Sequence, residues 1–165
     1  QRRFGRMWLA ENEDELALTG IKKLGPEPFD PEFCAEYLDN SLSRRKKAIK
    51  ECLLDQSIIA GIGNIYADEI LFRCGINPAK PAGKLSRKDI EMLALTIPVV
   101  LKYYIEKNSI SAEDYLAGKG NDYRNTPFLK VYGHAQSPCP VCGEIFVKTK
   151  VGNRTSVYCP FCQPK

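Results

Sequence analysis

Apolar positions recur at helical spacing through most of this chain, and the pattern changes character near the end. Asp30-Pro31-Glu32 predicts a helix start, an acid followed by proline at the first helical position, after which Phe33, Tyr37 and Leu38 fall on one side. A second helix is predicted over about Arg44 to Leu54, with Ala48, Ile49, Cys52 and Leu53 on one side and the basic residues mostly on the other. The run IIAGIGNIYADEILFRCG predicts a Gly61-Ile62-Gly63 turn, Asn64 as a helix cap, acids in the first turn and Gly75 as a stop. After a loop from Asn77 to Lys84, Ser86 opens a long helix to about Lys107, with Pro98 expected to kink it, and Ser111 caps a short one. From Ala117 to Phe128 turn residues replace periodicity, which predicts a loop.

In the final segment, Ile145, Val147, Lys148 to Val151 and Thr155 to Tyr158 favour strands, and Gly152-Asn153 suits a tight turn between them. The hairpin is framed by Cys139 and Cys142 before it and Cys159 and Cys162 after it. This C-x2-C-x16-C-x2-C spacing suits two thiolate knuckles closing a tetrahedral site for one structural zinc ion, whereas adjacent disulfides would strain the segment. So small a ribbon has almost no core, and metal binding would supply much of its folding free energy. Arg154 then sits at the tip of a rigid arm. The fold class expected is therefore mainly α, a helical domain followed by a small β-hairpin zinc ribbon.

With 165 residues and 44% hydrophobic content, the chain is long enough for one main domain plus the zinc appendage. No stretch approaches the length of a membrane span and no signal peptide opens the chain, so a soluble, intracellular protein is expected. Cys34, Cys52 and Cys74, each in an apolar helical context, suit packed thiols in a reducing compartment. The first residue is Gln1, and QRRFGRMWL reads as if cut from the middle of a strand, which points to a piece or processed product of a longer protein.

The formal net charge is only +4, but its distribution is uneven. Residues 1–9 carry three arginines, RRKKAIK at 44–50 carries five positive charges without an acid, and residue 130 onward has five basic residues against one acid. Three basic patches beside a zinc arm fit a polyanion such as DNA; taken singly, each also fits a solvated helix face. The glycine turn is open to two readings as well. Stripped of side chains before a helix N-terminus, it makes a natural phosphate site with Lys46 reaching the same strand; equally, Asn64 caps its own helix and the glycines only permit close packing.

The run KKAIKECLLDQSIIAGIGNIYADEILFRCGINP resembles the helix-two-turn-helix of the formamidopyrimidine-DNA glycosylase and endonuclease VIII family. RRFG resembles the end of that family's N-terminal domain, and LKVYG with the four-cysteine ribbon, Arg154 and YCPFCQ resembles its zinc finger. The formamidopyrimidine branch matches better. The resemblance implies three parts: residues 1–25, the tail of a catalytic domain and linker; 26–129, the DNA-binding helical domain; and 130–165, the zinc finger. It implies a monomeric enzyme of base-excision repair in the bacterial cytoplasm, at the nucleoid, that flips an oxidised purine (formamidopyrimidine, 8-oxoguanine) out of duplex DNA, cuts the glycosidic bond and then the backbone at the abasic site. The family's nucleophile, an N-terminal proline amine, has no match at Gln1, so this chain alone is expected to be inactive.

By the same resemblance, Arg2 and Phe4 fill the gap left by the flipped nucleotide, Lys46 and Asn64 hold phosphates beside the lesion, and Arg154 grips the flanking phosphates. The family also assigns Arg154 a catalytic proton-donor role in the final elimination; since a guanidinium is a poor acid, stabilising the leaving phosphate is the easier reading. The loop from Ala117 to Pro127, with Tyr123 and Thr126, stands where the family caps the damaged base. Glu69 is read either as facing the catalytic domain or as a first-turn acid complementing the helix dipole. His134 is read as an exposed hairpin residue. The alternatives are a non-catalytic DNA-binding module on the same scaffold, an endonuclease VIII-type enzyme for oxidised pyrimidines, and a zinc-ribbon protein acting on RNA or protein.

Overall fold

A computed structural model describes Leu9, Glu11, Asn12, Glu15 and residues 19–118 and 125–165. In chain order its helices are α1 (Ala35–Leu42), α2 (Ile49–Leu53), α3 (Asn64–Cys74), α4 (Arg87–Asn108) and α5 (Ala112–Leu116), followed by the antiparallel strands β1 (Val147–Val151) and β2 (Arg154–Tyr158). The result is a helical domain with a small two-stranded sheet. None of the described helices is long and apolar enough to cross a membrane.

The long helix forms as its pattern predicts. Ser86 Oγ accepts from Asp89 N–H while the Asp89 carboxylate accepts from Ser86 N–H, and α4 runs on through Pro98 to Asn108. Proline therefore does not end this helix. Its inward face, Ile90, Leu93, Ile97, Val100 and Leu101, packs into one core with Leu38 and Leu42 of α1, Ile49, Cys52 and Leu53 of α2, and Ala67, Ile70 and Leu71 of α3. Ser111 caps α5 as expected, through Asp114 N–H.

Two helix starts fall elsewhere than the pattern places them. Asp30 turns its carboxylate back to Glu27 N–H, so the Asp30-Pro31 motif closes a turn and α1 begins only after Cys34, whose sulfur accepts from Tyr37 N–H. Cys34 is exposed there; of the three thiols outside the ribbon only Cys52 is fully buried. The second predicted helix is only five residues long, because the backbone of the basic run is committed elsewhere. Arg45 and Lys47 carbonyls accept from Gly83 and Ala82, and Ile49 N–H donates to Lys80, so residues 45–49 lie against 80–83. Lys50 is the exception to an outward-facing basic run: it is buried completely.

The hairpin agrees closely with its sequence. Val147 to Val151 pairs with Tyr158 to Arg154 around Gly152-Asn153, which puts Arg154 first on β2, opposite Val151. The ribbon is less of an appendage than its size implies. Val131, Phe146, Val157, Cys139 and Cys159 form a second small core, and Phe72 of α3 packs on it edge to face with Phe146 at 5.5 Å between ring centroids. His134 is exposed, in a turn before the hairpin.

Candidate nucleic-acid interface and metal centre

The approach to α3 is built by one glutamine and a glycine turn. Gln56 Nε2 donates to the carbonyls of Leu54 and Ile62 while its Oε1 accepts from Gly61 N–H, so a single side chain braces both sides of the turn. Gly61 has φ 88, a conformation that costs other residues strain. A β-carbon added at Gly61 or Gly63 would meet nothing within 4 Å. The glycines thus do not serve close helix packing; they leave the N-terminus of α3 open.

Asn64 does not cap this helix. Gly63 is the N-cap and supplies no side-chain partner, Asn64 is the first helical residue, and its buried Oδ1 has no protein partner. Nor does the first turn hold an acid. With the dipole uncompensated by an acid or a side-chain cap, the first-turn N–H groups favour an anion. A cleft of about 560 Å3 opens in front of them, lined by Gln56, Gly63, Asn64, Tyr132 and Arg154 among others. Two residues 90 positions apart in the sequence, Asn64 and Arg154, therefore share one cleft. Lys46 is exposed in the turn before α2 and does not line it. Arg2, Phe4 and Tyr123 lie outside the described residues.

Arg154 owes its position to a buried ion pair. Lys50 Nζ lies 2.7 Å from Asp68 Oδ1, with side-chain exposures of 0% and 1%, and also donates to Thr155 O at 2.8 Å. Asp68 further accepts from Ser156 Oγ at 2.6 Å and Val157 N–H at 3.2 Å. Burial pushes the Asp68 carboxyl up and the Lys50 ammonium down, while each partner holds the other charged. With donors and acceptors this fully matched, the paired charged form is the one the geometry supports. The strand carrying Arg154 is thereby pinned to α2 and to the middle of α3.

Glu69 corrects both of its sequence readings. It is neither a first-turn acid nor free to face another domain. Its buried carboxylate accepts the backbone N–H groups of Lys130, Val131 and Tyr132 at 2.9 to 3.1 Å and the Tyr104 hydroxyl at 2.8 Å. That knot holds the segment leading from the helices into the ribbon and sets Tyr132 at the cleft. Tyr132, Lys50, Asp68 and Glu69 are the residues that sequence reasoning missed as parts of this site. An adjacent pair of acids, Asp68-Glu69, inside an otherwise apolar helix was the available signal.

The metal centre is the four-cysteine cluster. The Sγ atoms of Cys139, Cys142, Cys159 and Cys162 all lie within 4.8 Å of one another. Tetrahedral zinc with Zn–S near 2.3 Å sets its sulfurs roughly 3.8 Å apart; Cys139 and Cys162 stand 3.9 Å apart, Cys142 and Cys159 3.4 Å. Cys162 N–H also donates to Cys159 Sγ, as suits a thiolate. The donor set fits one structural zinc ion.

Comparison with known proteins agrees. Residues 24–115 match the formamidopyrimidine-DNA glycosylase H2TH domain, and residues 136–165 match a zinc finger found in FPG and IleRS. A formamidopyrimidine-DNA glycosylase of Pelotomaculum thermopropionicum is 44% identical over 98% of this chain, which spans 59% of that relative's length. Two solved structures of the Lactococcus lactis protein superimpose on 93% of the chain and 56% of their own length. One, with DNA containing an abasic site, has a TM-score of 0.79 at 34% identity; the other, with FAPY-dG DNA, has 0.80 at 33%. Open glycine turn, pinned arginine hairpin and four-cysteine zinc centre thus come together with these matches to one conclusion: the chain belongs to the formamidopyrimidine-DNA glycosylase family.

Proposed function

We propose that this chain is the DNA-gripping part of a base-excision repair enzyme, a DNA glycosylase and abasic-site lyase for oxidised purines. The observation that carries this reading is the cleft that joins Asn64, Tyr132 and Arg154 at an uncapped helix N-terminus. A duplex phosphate seated there would accept from the first-turn N–H groups and from the planar fork of Arg154. The Asn64 amide, whose oxygen has no protein partner, would turn its NH2 to a phosphate oxygen. Lys46, exposed before α2, adds a second phosphate contact on the same strand, and Arg2 with Phe4 enters the gap left by the extruded nucleotide.

In this reading residues 1–25 link to the catalytic part, 26–129 form the DNA-binding helical domain and 130–165 the zinc finger. Arg154 acts by stabilising the leaving phosphate. The lesion class rests on the relatives' names and on neighbours solved with FAPY-dG and abasic-site DNA.

Fluorescence anisotropy against an intact duplex and one carrying a stable abasic analogue, over a salt series, tests the proposal. Affinity should fall steeply with salt, at about 0.9 counterion per phosphate contact. Arg154→Ala should weaken binding about tenfold with zinc content intact, the scale expected for one charge-assisted contact. Salt-insensitive binding, or none at low salt, would refute it.

A further inference from the structure

The opposite end of α3 carries a second cleft, separate from the one proposed to seat a phosphate. About 580 Å3 in volume, it lies among the C-terminal half of α3, the middle of α4 and the zinc knuckles, with Phe72, Val100 and Tyr104 among its lining. Its surroundings are apolar and exposed. Tyr103, in its lining, is 37% exposed, and Val99, one turn earlier on α4, is 50% exposed. Each zinc knuckle presents a bulky apolar side chain, Val141 at 74% and Phe161 at 73% exposure. Clustered exposure of this kind marks a contact surface.

The charged residues that line it are cationic apart from Glu69. Arg73 and Lys130 line the cleft and are exposed, and Lys107 Nζ lies 5.7 Å from the Tyr103 ring centroid and 5.1 Å from that of Phe128. The acid among the lining residues, Glu69, has its carboxylate committed to three backbone amides and the Tyr104 hydroxyl. An apolar floor with a cationic rim is complementary to a bulky apolar side chain flanked by carboxylates. We propose that this cleft docks a short acidic segment of another protein, such a side chain entering between Tyr103 and Val141 while its neighbouring carboxylates meet Arg73 and Lys130. A nucleic acid fits the cleft poorly, since its phosphates would find an apolar floor. An α-helix of 11 residues is about 16 Å long, so the two clefts can be filled together.

The probe is a fluorescein-labelled ten-residue peptide with Phe-Leu flanked on each side by two aspartates, titrated in anisotropy against the whole chain. Binding in the micromolar range is expected, weakened about tenfold or more by Tyr103→Ala and about fivefold by Arg73→Glu. Replacing the peptide's Phe-Leu by Ala-Ala should abolish it. Arg154→Ala should leave it unchanged, and saturating abasic-analogue duplex should not displace the peptide. Zinc content and thermal unfolding verify that each variant is folded; backbone amide shifts of the unmodified chain, expected at Gly75, Tyr103 and Val141, locate the site without any variant. No binding up to about 1 mM overturns the proposal. So does binding that survives Tyr103→Ala combined with Arg73→Glu, that is lost in Arg154→Ala, or that duplex DNA competes away.

Discussion

Glu69 shows how much one buried carboxylate can organise. Three backbone N–H groups and a tyrosine hydroxyl converge on it, so its oxygens satisfy donors that would otherwise be stranded inside the protein. Glu69→Gln replaces one acceptor oxygen by a donor facing N–H groups. It should cost about 2–3 kcal/mol in urea unfolding and also weaken duplex binding, because Tyr132 loses its anchor beside the cleft. At the surface, Asp89 gives a pH signature. Partial burial raises its pKa, but the Lys80 ammonium 2.9 Å away and the Ser86 amide outweigh that, and the net shift is downward. A depressed carboxylate contributes stability above its unfolded value, near 3.9, and loses it as pH falls through the folded value. Asp89→Asn should therefore cost about 1 kcal/mol at pH 7 and progressively less towards pH 3, read from urea midpoints across that range.

At the level of elements, what was legible depended on whether the decisive partners are local. The Ser86 start of α4, the Ser111 cap, the Gly75 stop at φ 67 and the hairpin turn all involve residues within a few positions of one another, and each forms as its sequence predicts. The basic run before α2 failed because its backbone pairs with residues 80–83, which no periodicity announces. Lys50 failed for a similar reason: its partners, Asp68 and Thr155, lie 18 and 105 positions away. The four cysteines and Arg154 could be read from spacing and resemblance, whereas Tyr132 could not, since only Glu69 brings it to the cleft. The ion pair ties α2, α3 and β2 together, so Lys50→Met should cost about 3–5 kcal/mol by stranding Asp68, with chemical denaturation as the check. Adding Asp68→Leu should recover much of that loss, which a double-mutant cycle would measure.

At the scale of the whole molecule, the described residues build two cores that share one wall, α3. Leu71 and Ile70 face the helical core while Phe72 packs on the ribbon, and the neighbouring Asp68 and Glu69 bond to ribbon backbone. Losing the metal should therefore be felt beyond the finger. Cys159→Ser should release zinc and melt the hairpin; the larger core keeps the helices folded, at a lower urea midpoint because both acids lose partners. Far-ultraviolet circular dichroism alongside a zinc assay would check this, and an unchanged helical midpoint would contradict the shared wall. That wall also has a mechanical consequence. A ligand pulling on Arg154 pulls, within two residues, on the Lys50–Asp68 pair at the centre of the protein and not on a swinging arm. On the proposed function, the strand that carries Arg154 and the α3 N-terminus then form two jaws whose backbones stand at a fixed separation, so a bound backbone adjusts to the protein more than the protein to it.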